Sequence, residues 1–178
     1  MKKALKISKL DAARRQLEMA IRLYFSSSDP VSIHTLTSAS YNIIRDINKN
    51  RGGEPLVVKE QLIGFVKHEF RNIIKKKITE AENFFKHADR DHEAVISFNP
   101  EQSEYLIMEA CSVYSALTGE MPPLFKVYKV WYISHNTSLY EFTEDVKTEM
   151  FKLLPRILLM NREEFFNEML PIALSFRT

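Results

Sequence analysis

The sequence is poor in the residues that build disulfide frameworks and turn-rich β proteins. It has a single cysteine and four glycines in 178 residues, against twelve phenylalanines and seven methionines. Cys111 alone can form no intrachain disulfide, which fits a reducing compartment. Its neighbours Ala110, Val113 and Tyr114 indicate a buried thiol rather than a nucleophile. So few glycines argue against a β architecture.

Long apolar runs are also lacking. The basic start from Met1 to Ile7 is not followed by an apolar segment, and the C-terminal apolar stretch is interrupted by Pro155 and Arg156. These features predict neither a signal peptide nor a membrane span. A formal net charge of +2 is too small to imply a nucleic-acid or membrane partner. We therefore expect a cytoplasmic protein with no membrane partner, and the charge does not favour a nucleic-acid partner.

Several catalytic and cofactor-binding motifs are missing. The sequence has no Gly-rich phosphate loop, no Walker sequence, no Gly-x-Ser-x-Gly elbow and no His-Glu-x-x-His run. Each of these motifs places specific groups around a phosphate, an acyl group or a zinc ion. Their absence leaves no sequence signature of a cofactor, and we expect none to be bound.

What the sequence does contain is apolar residues at helical spacing. A first helix is predicted from about residue 8 to 25, because apolar residues recur there every three or four positions. Asp29 followed by Pro30 is typical of a helix start, and the second helix should run to about Lys49. The short connection predicts an antiparallel helical hairpin.

The middle of the chain allows two interpretations. Residues 58–88 contain no proline and keep the helical spacing, so they form either one long helix or two helices with a bend near Arg71. Thirty residues are long for a globular helix, which favours the bend. Asn99 followed by Pro100 predicts the start of another helix, which Gly119 should end.

Three further helices are predicted in the last third of the chain. A short one follows Pro122 and Pro123, one begins near Thr143 and should be kinked or interrupted at Pro155, and one follows the capping-box pair Asn161 and Glu164. The fold predicted is all-α: one helical domain over residues 1–178 with six to eight helices. A subdivision near residues 98–122 stays open. The predicted core comprises Leu17, Ile21, Leu36, Ile43, Ile47, Ile78, Phe85 and Leu106.

The segment Asn83–Asp91 crowds histidines, aspartates and an asparagine at the end of a predicted helix. If the helix persists, Glu80, Asn83, His87 and Asp91 share one face. Imidazole and carboxylate suit zinc, manganese or iron, so His87, Asp91 and Glu80 are the candidate metal ligands. One face supplies too few ligands, however, and a hydrogen-bonded helix end explains the same residues. We therefore favour a site without metal.

A second polar stripe runs along the second predicted helix. It contains His34, Tyr41 and Arg45, which could form an anion-binding wall, although a lone His at such a position is more often an interior residue. We expect a pocket for a small anionic ligand, with these three residues on one wall and Asn83, His87 and Asp91 on the other. His87 is the best candidate for a catalytic residue, as a general base, with Arg45 as the anion clamp.

Lysines and arginines recur along the predicted helix that contains Arg71. Lys67, Arg71 and Lys75 step by four along one face, and Lys76 and Lys77 extend the positive charge. Such a stripe can bind phosphates. Because glutamates interleave with it and no aromatic residues alternate with it, a solvated face is the favoured interpretation.

The C-terminal third has more large apolar residues than one helix face can bury internally. This surplus predicts a homo-oligomer, in particular a dimer. The function predicted is a non-enzymatic helical binding module. The alternative is a small-molecule enzyme or ligand binder, metal-dependent or not, that uses His34 and the Asn83–Asp91 segment. The surplus residues are Phe151, Leu154, Leu158, Leu159, Met160, Phe165, Phe166, Met169 and Leu170.

Parts of the sequence resemble a family of small bacterial proteins to which no activity is assigned. The similar segments are residues 12–25, Asp29-Pro30-Val31-Ser32-Ile33-His34-Thr35-Leu36 and Asn83–Asp91, and more weakly residues 131–135. The resemblance implies no activity, but it strengthens His34 and the Asn83–Asp91 segment as site candidates.

A looser likeness is to HEPN-type helical bundles, many of which are ribonucleases with an Arg followed four to six residues later by His. Neither Arg45 nor Arg71 has a His at that distance. The likeness therefore implies a similar bundle without the ribonuclease motif, and leaves a nucleic-acid-related protein as a third hypothesis.

Overall fold

The structure is a computed structural model, and it describes residues 4–89 and 92–176. Those residues form eight α-helices, one π-helical turn and one 3-10 turn, and no β-strand. The prediction of an all-α fold is confirmed. The helices are α1 (Lys9–Phe25), α2 (Pro30–Asn50), α3 (Leu62–Gly64), α4 (His68–Phe84), α5 (Gln102–Thr118), α6 (Pro123–His135), α7 (Glu144–Leu159) and α8 (Arg162–Ser175).

The first two helices form the antiparallel hairpin expected from their caps. The Ser8 hydroxyl accepts a hydrogen bond from the amide of Asp11 (3.1 Å), and the Asp29 carboxylate accepts one from the amide of Ser32 (2.7 Å). Each cap satisfies an amide that has no partner within its helix. Further along the pair, the Ser40 hydroxyl donates to the Ala13 carbonyl at 2.8 Å.

The region between residues 57 and 88 contains two helices rather than one. A π-helical turn (Val57–Gln61) leads into the short α3, and α4 begins at His68. The break lies a few residues before Arg71, the predicted position of the bend. Helix α4 ends at Phe84, so His87 lies beyond the helix, where its amide donates to the Asn83 carbonyl at 3.0 Å.

The remaining helices follow their predicted signals, with one exception. Gly119 ends α5 in the left-handed conformation (φ 72°), and the capping box of Asn161 and Glu164 is complete at the start of α8. The exception is Pro155, which lies inside α7 without interrupting it. The interruption that we considered at this residue is therefore wrong.

Aromatic side chains form a cluster in the core where α1, α6 and α8 meet. The ring of Phe25 contacts five other aromatic rings, with centroids 4.9–6.2 Å apart, and the Trp131 indole donates to the Tyr24 hydroxyl at 3.1 Å. Aromatic pairs of this kind contribute beyond the area that they bury. The five rings around Phe25 belong to Tyr24, Tyr128, Trp131, Phe165 and Phe166.

The predicted core is right on α1 and α5 and wrong on α2. Leu17, Ile21 and Leu106 are buried, and Ile43 packs partly buried against the core. The other four predicted residues, Leu36, Ile47, Ile78 and Phe85, are only half-buried. The face of α2 that enters the core is instead Ile33, His34, Thr37, Ser38, Ser40, Tyr41 and Ile44.

Two helices lie at the edge of this core. In α7, Ile157 is the one buried residue among the side chains described. In α4, every residue from its start to Lys77 is exposed, and burial begins only near Ala81. None of the helices in the described ranges is both long enough and apolar enough to cross a membrane.

Candidate functional site

The polar face of α2 is buried because small residues allow α1 and α5 to approach it closely. Thr37, Ser38 and Ser40 are fully buried, and α2 packs along both α1 and α5. A serine hydroxyl can be buried when it hydrogen bonds to a backbone carbonyl, as Ser40 does. The same face brings the imidazole of His34 and the phenol of Tyr41 into the interior, where both need partners.

His34 is held between a hydroxyl and two aromatic rings. Its Nδ1 lies 3.0 Å from the Ser103 hydroxyl oxygen, and the rings of Phe98 and Phe85 lie 4.9 and 5.8 Å from the imidazole, centroid to centroid. Burial lowers the pKa of His34 to about 4, with the positive charge of Lys59 acting in the same direction and Glu82 opposing. His34 is therefore a neutral imidazole near pH 7.

Tyr41 reaches a carboxylate on α5. Its hydroxyl donates to Glu109 Oε2 at 2.7 Å, and burial together with Glu109 raises the pKa of Tyr41. Glu109 also accepts hydrogen bonds from the amides of Val57 (to Oε1) and Val58 (to Oε2, 3.1 Å). One carboxylate therefore ties α2 and α5 to the first residues of the π-helical turn.

The π-helical turn also carries a buried lysine. Lys59 forms an ion pair with Glu82 on α4, donates to the Asn42 side-chain oxygen at 3.0 Å and lies 5.1 Å from the centre of the Tyr41 ring. The Asn42 amide in turn donates to the second Glu82 oxygen at 3.2 Å. Burial lowers the pKa of Lys59, and the Glu82 carboxylate opposes that shift. For Glu82, burial acts to raise the pKa, but Lys59 outweighs it and the net shift is downward.

We call His34, Tyr41, Asn42, Lys59, Glu82, Ser103 and Glu109 the polar centre. It joins α2, α4 and α5 to the π-helical turn. Every charged member has an oppositely charged or hydrogen-bonding partner, as buried charges require. Such an arrangement fixes the relative positions of four elements, and its carboxylates are saturated by donors rather than open to a substrate.

The sequence interpretation missed Asn42, Lys59, Glu82, Ser103 and Glu109. A signal for one of them was present, because Glu109 is the only charged residue between Glu104 and Glu120 on an otherwise apolar helix. A charge at such a position needs a partner. Lys59 and Glu82 gave no comparable signal, since both lie among other charged residues in the sequence.

The residues of the two predicted pocket walls lie in different places. His34 and Tyr41 belong to the buried polar centre, whereas Arg45 pairs with its neighbour Asp46 at 2.8 Å. Asn83 and His87 are exposed and line a cavity of about 500 Å³, to which His34, Tyr41 and Arg45 do not contribute. Asp91, the remaining member, lies outside the described residues. The proposed facing walls therefore do not enclose one cavity.

Two of the candidate metal ligands, Glu80 and His87, line the same cavity. Glu80 lines the cavity beside His87 and pairs with Lys77 at 2.8 Å. Over residues 4–89 and 92–176, no three His, Cys, Asp or Glu side chains gather closely enough to hold a metal ion. The predicted role of Asp91 as a ligand falls outside that range.

A second cavity, of about 380 Å³, adjoins the polar centre. It lies between the α1–α2 connection and the start of α5, and Ser103 lines it. Arg162 lies over the Tyr24 ring at 4.0 Å and pairs with Glu104 at 3.1 Å at the same cavity. Ser103, whose hydroxyl contacts His34, therefore also borders a space that a small molecule could enter.

A third and larger cavity of about 790 Å³ lies on the other side of α5. Its walls are mostly apolar, with Glu109 and three tyrosines (Tyr105, Tyr132 and Tyr140) as polar groups. Because Glu109 is saturated by Tyr41 and two amides, it contributes little free hydrogen-bonding capacity to this space.

Comparison with known proteins adds no relative: no family model, no curated protein and no solved structure matches the chain.

Proposed function

We propose that this protein is a helical interaction module that forms a homodimer through α7. The observation that carries the proposal is the exposure of large apolar side chains on that helix: Phe151 is 58% exposed, Leu158 50% and Leu159 87%. Exposed apolar residues at this density are typical of interaction surfaces. A second copy of the chain would cover them.

Part of the exposed apolar surface of α7 is a stripe on one face. Phe151 and Leu158 are exposed, Leu154 between them is half-buried, and the three are spaced three and four positions apart, as side chains on one face of a helix are. Val146, Leu153 and Ile157 lie on another face, where Val146 and Leu153 line an apolar cavity of about 490 Å³ beside α6 and Ile157 is buried. The outward stripe has the spacing that helix–helix pairs use.

The charges on α7 suit an antiparallel pair of identical helices. Its first turn carries Glu144, which pairs with Lys147, and Asp145, and its second half carries Lys152 and Arg156, of which Arg156 pairs with Glu168 on α8. In an antiparallel pair the acidic start of each helix faces the basic end of the other, and the helix dipoles also oppose. A two-fold axis produces this arrangement, since each patch then meets its own copy.

One stripe is small for a stable dimer. Residues 146–159 span about 20 Å of helix, and a stable interface buries roughly 800 Å² on each partner. Helix α8 offers more area beside it: Ile172, Leu174 and Phe176 are exposed, and Arg156 ties α7 to Glu168 of α8 at 2.8 Å. We infer that the interface includes the end of α8.

Sedimentation equilibrium on the full chain tests the dimer. We expect a mass of two chains at high micromolar concentration, and a mass of one chain for Leu158→Glu, because the charge would be buried in the interface. The matched control is Leu139→Glu, the same change at an exposed leucine on the 3-10 turn (Thr137–Leu139), which should stay dimeric. A single-chain mass for the wild type, or equal dissociation in both variants, would remove the proposal.

A second candidate is a small-ligand binder or enzyme at the cavity of about 380 Å³, favoured by the contact between Ser103 and the neutral His34. A neutral imidazole beside a hydroxyl can accept its proton, which is how serine nucleophiles are activated. A fluorophosphonate probe tests this reactivity. Labelling that is lost in Ser103→Ala and weakened in His34→Gln would support the enzyme, and no labelling of the wild type would exclude Ser103 as a nucleophile.

A further inference from the structure

The first half of α4 stands clear of the bundle. Residues 67–77 are all exposed, and they include Phe70 (51% exposed) and Ile73 (58% exposed). Phe65, at the break just before the helix, is 87% exposed. A stretch of three helical turns with no covered face is unusual in a folded protein, because helices are stabilised chiefly by packing of their apolar face.

This stretch is amphipathic, and its apolar side is uncovered. Phe70, Ile73 and Ile74 are three and four positions apart and lie on one face of the helix. Helices shorter than about 12–15 residues are marginal in water when nothing covers them. The exposed half of α4 therefore gains stability from any surface that receives these three side chains.

The charge beside that face is strongly positive. Five basic side chains lie between residues 65 and 77, at positions 67, 71, 75, 76 and 77, against the single acidic Glu69. Glu82, which in the sequence interleaves with the lysines, is turned into the polar centre and pairs with Lys59. In the described part of the chain, Lys67, Lys75 and Lys76 form no ion pair.

We propose that α4 docks on an anionic lipid surface, with Phe70, Ile73 and Ile74 inserted at the level of the headgroups and the lysines on the headgroup phosphates. Amphipathic helices bind membrane interfaces by this combination of apolar burial and attraction to anionic lipids. The small net charge of the whole chain argued against such a partner, but the charge is concentrated on one exposed helix.

The same features argue against two other partners for the exposed half of α4, a second copy of this chain and a nucleic acid. A second copy of α4 would bring two strongly basic helices together, which is destabilising, whereas α7 has charges that complement its own copy. A nucleic acid would satisfy the lysines, but its phosphates would leave Phe70 and the two isoleucines exposed to water. Only a surface that is anionic and can also receive apolar side chains would both pair with the lysines and bury Phe70, Ile73 and Ile74.

Vesicle flotation of the full chain tests the proposal. We expect binding to vesicles in which phosphatidylglycerol replaces part of the phosphatidylcholine, weak binding to phosphatidylcholine alone, and loss of binding as salt is added. The double variant Lys75→Gln/Lys76→Gln should weaken partitioning about fivefold for each lysine removed. Ile73→Ser should weaken it by a similar factor, because less apolar area is inserted.

A matched control separates the local patch from net charge. Lys9→Gln/Lys49→Gln removes the same two charges from exposed positions on α1 and α2, and it should bind like the wild type. Equal losses in both double variants, no binding to anionic vesicles, or an Ile73→Ser variant that binds like the wild type would each overturn the proposal. So would binding of duplex RNA that competes with vesicles and is unaffected by Ile73→Ser, which would identify a nucleic-acid partner instead.

Discussion

The imidazole of His34, five residues into α2, lies 3.0 Å from the hydroxyl of Ser103, the second residue of α5. Both side chains are almost fully buried, and the rings of Phe85 and Phe98 close the site from the α4 side. The contact links two residues that are 69 positions apart in the sequence. Burial favours the neutral form of His34, since a buried imidazolium would have no carboxylate within hydrogen-bond reach among these neighbours.

Stability should therefore fall as the pH drops below the ordinary pKa of histidine. The folded-state pKa of His34, about 4, lies below its ordinary value of 6.5, so the unfolded chain takes up a proton that the folded chain refuses. The contribution of His34 is complete above pH 6.5 and decreases between pH 6.5 and 4, by up to about 3 kcal/mol. Urea unfolding at a series of pH values measures this slope.

Two variants show whether His34 causes the slope. His34→Gln should flatten the pH dependence between pH 6.5 and 5, although it lowers the free energy of unfolding at neutral pH. Phe98→Leu should also lower that free energy, by loss of packing, but keep the slope because the imidazole remains. A His34→Gln variant with the wild-type slope would contradict the assignment.

The buried ion pair of Lys59 and Glu82 should behave as a unit. Removing one charge leaves the other buried without its partner, so Lys59→Met and Glu82→Leu should each cost about 3–5 kcal/mol. The double variant should cost much less than the sum of the two, because it leaves no unpaired charge. Free energies of unfolding for the four proteins of the cycle give the coupling, and additive costs would show that the pair is not formed.

Glu109 should hold the π-helical turn in place. Glu109→Gln puts an amide donor where three donors already converge, and we expect it to lower the free energy of unfolding by about 1.5–3 kcal/mol. Limited proteolysis should cut more rapidly within residues 55–66. The exposed Glu120→Gln is the matched control and should change neither quantity. Unchanged proteolysis in Glu109→Gln would mean that other contacts fix the turn.

The helix boundaries could be predicted because their signals are local. Asp29 with Pro30, Asn161 with Glu164, and Gly119 each act within one turn of the chain, and each ends or starts a helix where predicted. The end of α4 at Phe84 was harder to predict, since the apolar spacing continues to Ala88. Periodicity shows which face is apolar, but it does not show where tertiary contacts stop supporting the helix.

The buried face of α2 could not be predicted from hydrophobic spacing. The helical spacing suggested a seam through Leu36, Ser40, Ile43 and Ile47, whereas the interior face also contains Thr37 and Ser38. Small residues let neighbouring helices approach closely. The Ser40 hydroxyl is buried with the Ala13 carbonyl as its partner, whereas the hydroxyls of Thr37 and Ser38 are buried with no hydrogen-bond partner among the described residues. The burial of these residues depends on how closely α1 approaches α2, and that distance cannot be inferred from the sequence of α2 alone.

The polar centre shows the same limit for the candidate site. His34 and Tyr41, two of the residues predicted to form one wall of a pocket, lie in a buried polar cluster whose other members come from α4, α5 and the π-helical turn as well as from α2. Charges as far apart in sequence as Lys59 and Glu82 pair only once the bend before α4 is formed. The Asn83–His87 segment, which looked most like a site, lies instead on an exposed cavity.

The antiparallel dimer makes a prediction that cysteine cross-linking can check. Cys111 is fully buried, and burial raises the pKa of its thiol, so single introduced cysteines can be tested without background. If the two-fold axis passes near the middle of the Phe151–Leu158 stripe, Leu154→Cys should form a disulfide with its own copy under mild oxidation. A disulfide requires Cα atoms within about 7 Å.

Lys147→Cys decides between the two directions of pairing, because Lys147 lies on the same helix face as Phe151, Leu154 and Leu158. Its two copies would be about 21 Å apart in an antiparallel pair centred on Leu154, since each helix rises about 1.5 Å per residue. It should therefore not link to itself. In a parallel pair both variants would link, since each residue of the stripe would face its own copy. Linking at both positions would refute the antiparallel arrangement, and linking at neither would refute the α7 interface.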